Sequence, residues 1–330
     1  MAVYTTHTRT RSDTRPGQAV PARLRQIPIA GTRPRSSAPA AAVVTAYLKT
    51  QAARLAELEL RVRADEFDSV HQMRVTTRRL RATLRSFGTV IPRSATGKLA
   101  AELKWLGGLL GAARDGEVLP EHLLASLKPV PVELLIGPVQ ARIQGYFAPR
   151  RASAREEVIE ALDSRRYAAL LAGLDRLALD PPLGAQAADP ARDVLPAAVH
   201  RAYRQASRRM RRARHAPRGQ AREVALHEAR KSARRARYAA EAASPAAGQR
   251  ARTFAKQMKK VQSVIGDHQD AVIARQASRD LGIGAHLAGE NAFTYGLLYQ
   301  RELHQAERNQ ARARTVWKHA SRPRSRTWMH

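Results

Sequence analysis

The chain has 330 residues, and its 58 lysines and arginines against 28 acids give a net charge of +30. That excess points to a polyanionic partner, whether nucleic acid, an anionic membrane or a phosphate polymer. The absence of cysteine excludes disulfides and thiolate metal sites. No apolar run reaches the roughly 18 residues of a membrane span, and no secretory signal is read at the start, so a cytoplasmic protein is expected.

Hydrophobic residues make up 44% of the chain and aromatics only 5%, so the core is built from Leu, Val and Ala, which favours helices over sheets. Residues 1–39 read as a disordered basic tail: Pro16, Pro21, Pro28, Pro34 and Pro39 break any periodicity, and seven arginines face Asp13 alone. Residues 40–64 predict a helix, with Val44, Leu48, Leu55, Leu58 and Val62 at helical spacing. Glu57-x-Glu59-x-Arg61 within it matches the metal-chelating strand motif of triphosphate tunnel enzymes only superficially. Alternate acids share a face on a strand, not on a helix.

The next helix, over 70–87, carries the organising pattern. Ser69-x-x-Gln72 suggests a capping box and Gly88 a stop. His71, Arg74, Arg78, Arg81 and Arg85 recur at steps of 3, 4, 3 and 4. On a helix they fall within an arc of roughly 80° and along about 21 Å of axis. Met73, Thr77, Leu80, Leu84 and Phe87 form an apolar row roughly 110° away. The basic stripe therefore flanks a buried seam.

A helix over 95–111 follows, with Leu99, Leu103, Leu106 and Leu110 inward. Gly111 is expected to stop it, and Asp115 to cap the next helix or hold an arginine. Residues 133–178 read as two helices bearing Arg142, Arg150, Arg151 and Arg155. The Asp180-Pro-Pro-Leu-Gly184 and Asp189-Pro190 breaks mark a hinge between halves, 40–180 and 190–320.

The second half opens with a basic helix over 193–214 and then repeats the pattern. His227, Arg230, Arg234, Arg237 and Glu241 stand at the same steps, 156 residues after their counterparts. The apolar row becomes Ala229, Ala233, Ala236, Ala240 and Ala243, small residues that let a neighbouring helix approach closely. Phe254, Met258, Val261 and Ile265 then echo the leucines, Lys259 matches Lys104, and Gly266 and Asp270 match Gly111 and Asp115. Asp267, His268 and Asp270 read as capping and turning residues, since a metal site needs a distant further ligand. A last helix over 290–318 places Phe293, Leu297 and Leu298 inward and carries Arg301, Arg308, Arg312 and Lys318. Residues 321–330 are expected to fray.

The motif Val70-His-Gln-Met-Arg-Val-x-x-Arg-Arg-Leu-Arg81 and its second copy, Leu226-His-Glu-x-Arg-Lys-x-x-Arg-Arg-x-Arg-Tyr238, resemble the CHAD domain, the conserved histidine α-helical domain. The likeness covers roughly residues 40–320. It implies an all-α fold of two pseudo-symmetric four-helix bundles around a central basic channel. It implies binding of inorganic polyphosphate and, in some members, association with polyphosphate granules. By motif, the contacts would be His71, Arg74, Arg78, Arg79, Arg81 and Arg85 from the first half. The second half would supply His227, Arg230, Lys231, Arg234, Arg235 and Arg237. Lys104, Lys259, Arg142, Arg301 and Lys318 are further candidates on neighbouring helices. Many relatives carry a triphosphate tunnel domain ahead of this one. Only the tail precedes it here, so no catalytic role of that kind is expected.

The residues agree with the resemblance. A phosphate polymer offers oxygens and charge but no bases, so it suits repeated cations without stacking platforms. Single-strand nucleic-acid binders interleave aromatics, and only Tyr238 ends the second stripe. Nucleic acid bound on the same basic surface is the alternative. A phosphohydrolase using His71 or His227 lacks a carboxylate at usable spacing, Glu228 excepted. No enzyme activity, cofactor or metal is expected.

Overall fold

The computed structural model describes residues 36–329 and, among them, consists of eight α-helices with short 3₁₀ turns and no strand element. In chain order these are α1 (Ala40–Arg63), α2 (Ser69–Ser86), α3 (Arg93–Leu127), α4 (Val139–Asp163), α5 (Arg165–Leu179), α6 (Ala191–His215), α7 (Gln220–Leu287) and α8 (Phe293–Ala320). Most of the predicted tail lies outside the described residues. Its last residues do not fray, because Pro39 bridges Pro190 and the Ala191 N–H donates to the Ala38 carbonyl at 2.8 Å.

Helix α7 is two segments. Gly248 has φ 64° and ψ −145°, outside helical space, and Pro245 lies just before it. Arg237 donates to Gln262 at 3.3 Å and Arg230 to Gln269 at 3.1 Å, so the second segment runs back antiparallel along the first. Helices α2 and α3 pack on each other in the first half. Helices α6 and α8 both pack on α7.

One apolar cluster draws side chains from all eight helices, from Ala40 to Ala320. A second joins the end of α3 and start of α4 to the end of α7 and start of α8, through Leu123, Ile143, Leu281 and Tyr295. The halves therefore share their interior. The predicted hinge is correspondingly anchored. The Gly184 N–H donates to Val90 at 2.9 Å and the Gln186 N–H to Thr89 at 3.0 Å. A Cβ on Gly184 would stand 2.5 Å from the Thr89 carbonyl oxygen, so only glycine fits that approach.

Four local expectations need correction. Helix α3 does not stop at Gly111 but runs through Pro120 to Leu127, and α7 runs through Gly266. Ser69 and Gln72 form no capping box. Asp68 is the N-cap, in left-handed conformation, and the Gln72 side-chain Oε1 accepts from Arg54 at 2.7 Å instead. Phe293 points outward, and Thr294, Tyr295 and Leu298 take the inner face of α8. The stretch 321–329 is docked rather than frayed. Met329 is buried, the Trp328 ring meets Phe254 edge-on at 6.2 Å, and Arg326 lies over the Tyr203 ring at 4.8 Å.

Candidate functional site

Burial of the apolar rows sets the direction of the stripes. Met73, Thr77, Leu80, Leu84 and Phe87 are all buried, as are Ala229, Ala233, Ala236, Ala240 and Ala243. With those faces fixed inward, the stripes of α2 and of the first α7 segment turn toward one another. His71 and Arg74 share a cavity of about 500 Å³ with His227 and Arg230. One turn further along, Arg78, Arg81 and Arg85 share a second cavity, of about 510 Å³, with Lys231, Arg234 and Arg235. The two follow one another along the same pair of helices.

The cavities differ in charge balance. The histidine end contains Asp115, Asp270 and Glu223, and Arg74 stands 3.9 Å from Asp115. Gln269 bonds both Arg230 and the His227 Nδ1. The arginine end contains one carboxylate, Glu228, which is taken by Lys231 at 2.8 Å. Among the described residues the side chains of Arg78, Arg81, Arg85 and Arg234 have no ion-pair or hydrogen-bond partner. The Nε atoms of Arg78 and Arg230 are buried and unpartnered. Buried N–H groups normally find an acceptor, so these are open donor positions.

The electrostatics record the same crowding. Burial, then the Arg74 charge, pulls Arg78 down from the ordinary guanidinium value to about 9. Burial, joined by Arg230 and Arg74, brings Arg234 to about 10. Burial with Arg85 and Arg81 does the same to Arg235. All three remain cationic at neutral pH. His71 and His227 are both pushed below the ordinary imidazole value, chiefly by burial, with nearby cations adding to it.

Gly111 and Gly266 serve this site rather than helix termination. A Cβ on Gly266 would stand 2.9 Å from the Arg230 Nη2, and one on Gly111 would stand 3.5 Å from the Arg74 Nε. Gly266 makes room on the facing helix for the first arginine of the second stripe, while at Gly111 the same approach is an ordinary van der Waals contact.

Lys104 lines the arginine end. Other candidates are not brought there. Arg79 and Arg237 both turn to Glu241, at 3.0 Å and 2.7 Å, and flank the Tyr238 ring. Arg142 is held by Glu290 beside a separate cavity. Lys259, Arg301 and Lys318 are exposed and line neither cavity of the groove. Sequence reasoning missed Arg114 at the histidine end, and Gln205 and Arg209 at the arginine end. Gln205 and Arg209 are four apart on α6, a spacing that put them on one face. The run of arginines around them hid which cations that face carries.

Comparison with known proteins bears on this arrangement. The CHAD domain family matches residues 46–279. Two uncharacterized proteins from two strains of Mycobacterium tuberculosis are each 34% identical over 278 residues, covering 84% of this chain. The match covers 53% of each, so the chain spans about half the length of these curated relatives. Among solved structures, PptA from Streptomyces chartreusis superposes with a TM-score of 0.70 at 22% identity, covering 85% of this chain and 99% of that one. The CHAD domain from the plant Ricinus communis gives 0.63 at 24% identity, covering 87% and 93%. At these identities the two structures establish the fold.

Proposed function

From the premise that the chain belongs to the CHAD domain family, we propose that it binds inorganic polyphosphate in the groove between its two stripes and acts by binding, not catalysis. One observation carries the reading. Arg78, Arg81, Arg85 and Arg234, drawn from both stripes, face a single cavity with no partner among the described residues. Arg78, Arg81 and Arg234 are half-buried, and such cations held together without counter-charge are costly in the free protein. A linear phosphate polymer supplies anionic oxygens at regular spacing and relieves that repulsion through charge-assisted bonds.

In this reading α1–α4 form one bundle, and α6, both segments of α7 and α8 form a second, related by a pseudo-twofold axis with the groove as central channel. The recurrence of the Arg74–Gly111 approach at Arg230–Gly266 supports it. Recruitment to cytoplasmic polyphosphate granules would follow from the same affinity.

Nucleic acid is the competing polyanion. The one aromatic residue at the arginine end, Tyr238, is 1% exposed and flanked by Arg79 and Arg237. It offers no face for a base to stack on, which removes the usual device of single-strand binding. Competition over a salt series tests the choice. Long-chain polyphosphate should displace DNA and RNA at about 0.15 M salt, and displacement in the opposite direction would reverse the assignment.

A further inference from the structure

Beyond the groove, on the far side of His268, lies a cavity of about 420 Å³ at the start of α7. Its cations are Arg218, Arg222, Arg275 and Arg314, from the α6–α7 link, α7 and α8. Its carboxylates are Glu223, which Arg275 meets at 3.3 Å, and the exposed Glu307. Arg222 is fixed by donating to the Ala216 carbonyl at the end of α6. Gly219 caps α7 with no side-chain hydrogen bond to the first turn. The Gly219 carbonyl accepts from the Arg222 and Glu223 N–H groups, which leaves those of Gln220 and Ala221, at the positive end of the helix, without an intrahelical acceptor.

His268 gives the independent signal. It is 4% exposed and lines both this cavity and the histidine end of the groove. Its Nδ1 pairs with the Ala306 carbonyl at 2.9 Å. A carbonyl only accepts, so Nδ1 carries the hydrogen. Nε2 is left buried and unpartnered in the wall between the two spaces. With the hydrogen on Nδ1, Nε2 is an acceptor open to a phosphate hydroxyl or to a water bridging to a phosphate oxygen. Buried polar atoms are rarely left without a partner.

We propose that this cavity is a second phosphoryl-binding site, built from the α7 N-terminus, Arg218, Arg222, Arg275, Arg314 and His268, and separate from the stripes. The inference rests on the phosphate-binding reading of the groove. The phosphoryl group has two sources, either the continuing strand of a polymer seated in the groove or a separate small phosphate compound. His268 and Glu223, whose charge Arg275 takes up, line both cavities, so the two spaces adjoin, which favours the continuing strand.

The test uses the full chain and the double variant Arg218→Gln/Arg314→Gln, two exposed side chains with no partner among the described residues. Gln310→Glu is a second variant, since it adds a negative charge to the cavity without removing a cation. Arg301→Gln/Lys318→Gln is the charge-matched control, lining neither the groove nor this cavity. Binding is measured for tripolyphosphate, long-chain polyphosphate and, on an Arg78→Glu background, pyrophosphate. We expect the long chain to lose about tenfold in affinity in both cavity variants, with tripolyphosphate binding unchanged. Pyrophosphate that still binds the Arg78→Glu protein, and is lost when the cavity variants are added, would assign the site to a separate phosphate compound and sustain the inference. Unchanged binding of all three ligands, or a loss matched by the control pair, overturns it. The groove reading fails on a different result, long-chain affinity left unchanged by Arg78→Glu.

Discussion

Replacing Arg78 by glutamine should stabilise the free protein while weakening its grip on polyphosphate. Arg78 is largely buried, its Nε has no partner, and its neighbours Arg74, Arg230 and Arg234 are all cations. Burial and those charges bring it from the ordinary guanidinium value down to about 9. At about 1.4 kcal/mol per tenfold change in proton affinity, the cost of keeping that charge in the fold has a ceiling of about 5 kcal/mol. Solvent entering the cavity screens most of it, leaving about 1–3 kcal/mol. At about 2 °C per kcal/mol for a chain of this size, Tm should rise by about 2–6 °C. The same change removes a charge-assisted contact worth about 1.5–3 kcal/mol to a bound anion, roughly 10- to 150-fold in Kd. Arg78→Lys retains the charge and should show neither effect in full. Differential scanning fluorimetry with and without polyphosphate reads both quantities. A fall in Tm with unchanged affinity would mean that Arg78 is a structural residue, and the reasoning from unpaired charge would be wrong.

Three further outcomes follow from the same contacts. Glu241→Ala strands Arg79 and Arg237 together and should cost about 2–3 kcal/mol by urea denaturation, with polyphosphate affinity nearly intact. Intact stability would show that the pair is not held through Glu241. Gly266→Ala should displace the Arg230 guanidinium and weaken binding, whereas Gly111→Ala, with more room at 3.5 Å, should be tolerated; equal effects in titrations would remove this role for the glycines. The pH dependence has a definite sign. His71 and His227 titrate below 6.5 in the fold, so the unfolded chain binds more protons, and the free protein should lose stability as pH falls through about 6.5. An anion favours the protonated rings, so polyphosphate affinity should rise over the same interval. A pH-independent affinity in the His71→Gln/His227→Gln protein would assign the effect to these rings, and persistence of the slope would exclude them.

The stripes and their buried rows were legible because helical periodicity leaves one geometric solution. With Met73, Leu80 and the alanine row inward, the cations flank the seam. The roles of Gly111 and Gly266 were not legible, since a glycine ends a helix as readily as it admits a facing side chain, and only the position of Arg74 or Arg230 decides. Arg79 and Arg237 were assigned to the ligand because their type and spacing fit. Their partner Glu241 stands 162 residues from Arg79, a pairing that no local pattern encodes. Glu241 also occupies the place that Arg85 has in the first copy. The repeats therefore diverge at the position where one keeps a cation facing the groove and the other ties two arginines into the fold. Lys259 matched Lys104 in register, yet Lys104 faces the groove and Lys259 faces solvent, so similarity of sequence did not carry similarity of surroundings.

The central claim is that one anion lies across both stripes, and the paired reversals Arg78→Glu and Arg234→Glu test it most directly. Calorimetric titration with long-chain polyphosphate should give comparable losses in the two variants, each at least about tenfold. Arg301→Glu, with the same change in net charge on an exposed face, should stay within about twofold of the parent at physiological salt. A loss at Arg301 equal to that at Arg78 would mean diffuse attraction to a basic surface. A loss at Arg78 with none at Arg234 would mean that the second stripe does not touch the ligand.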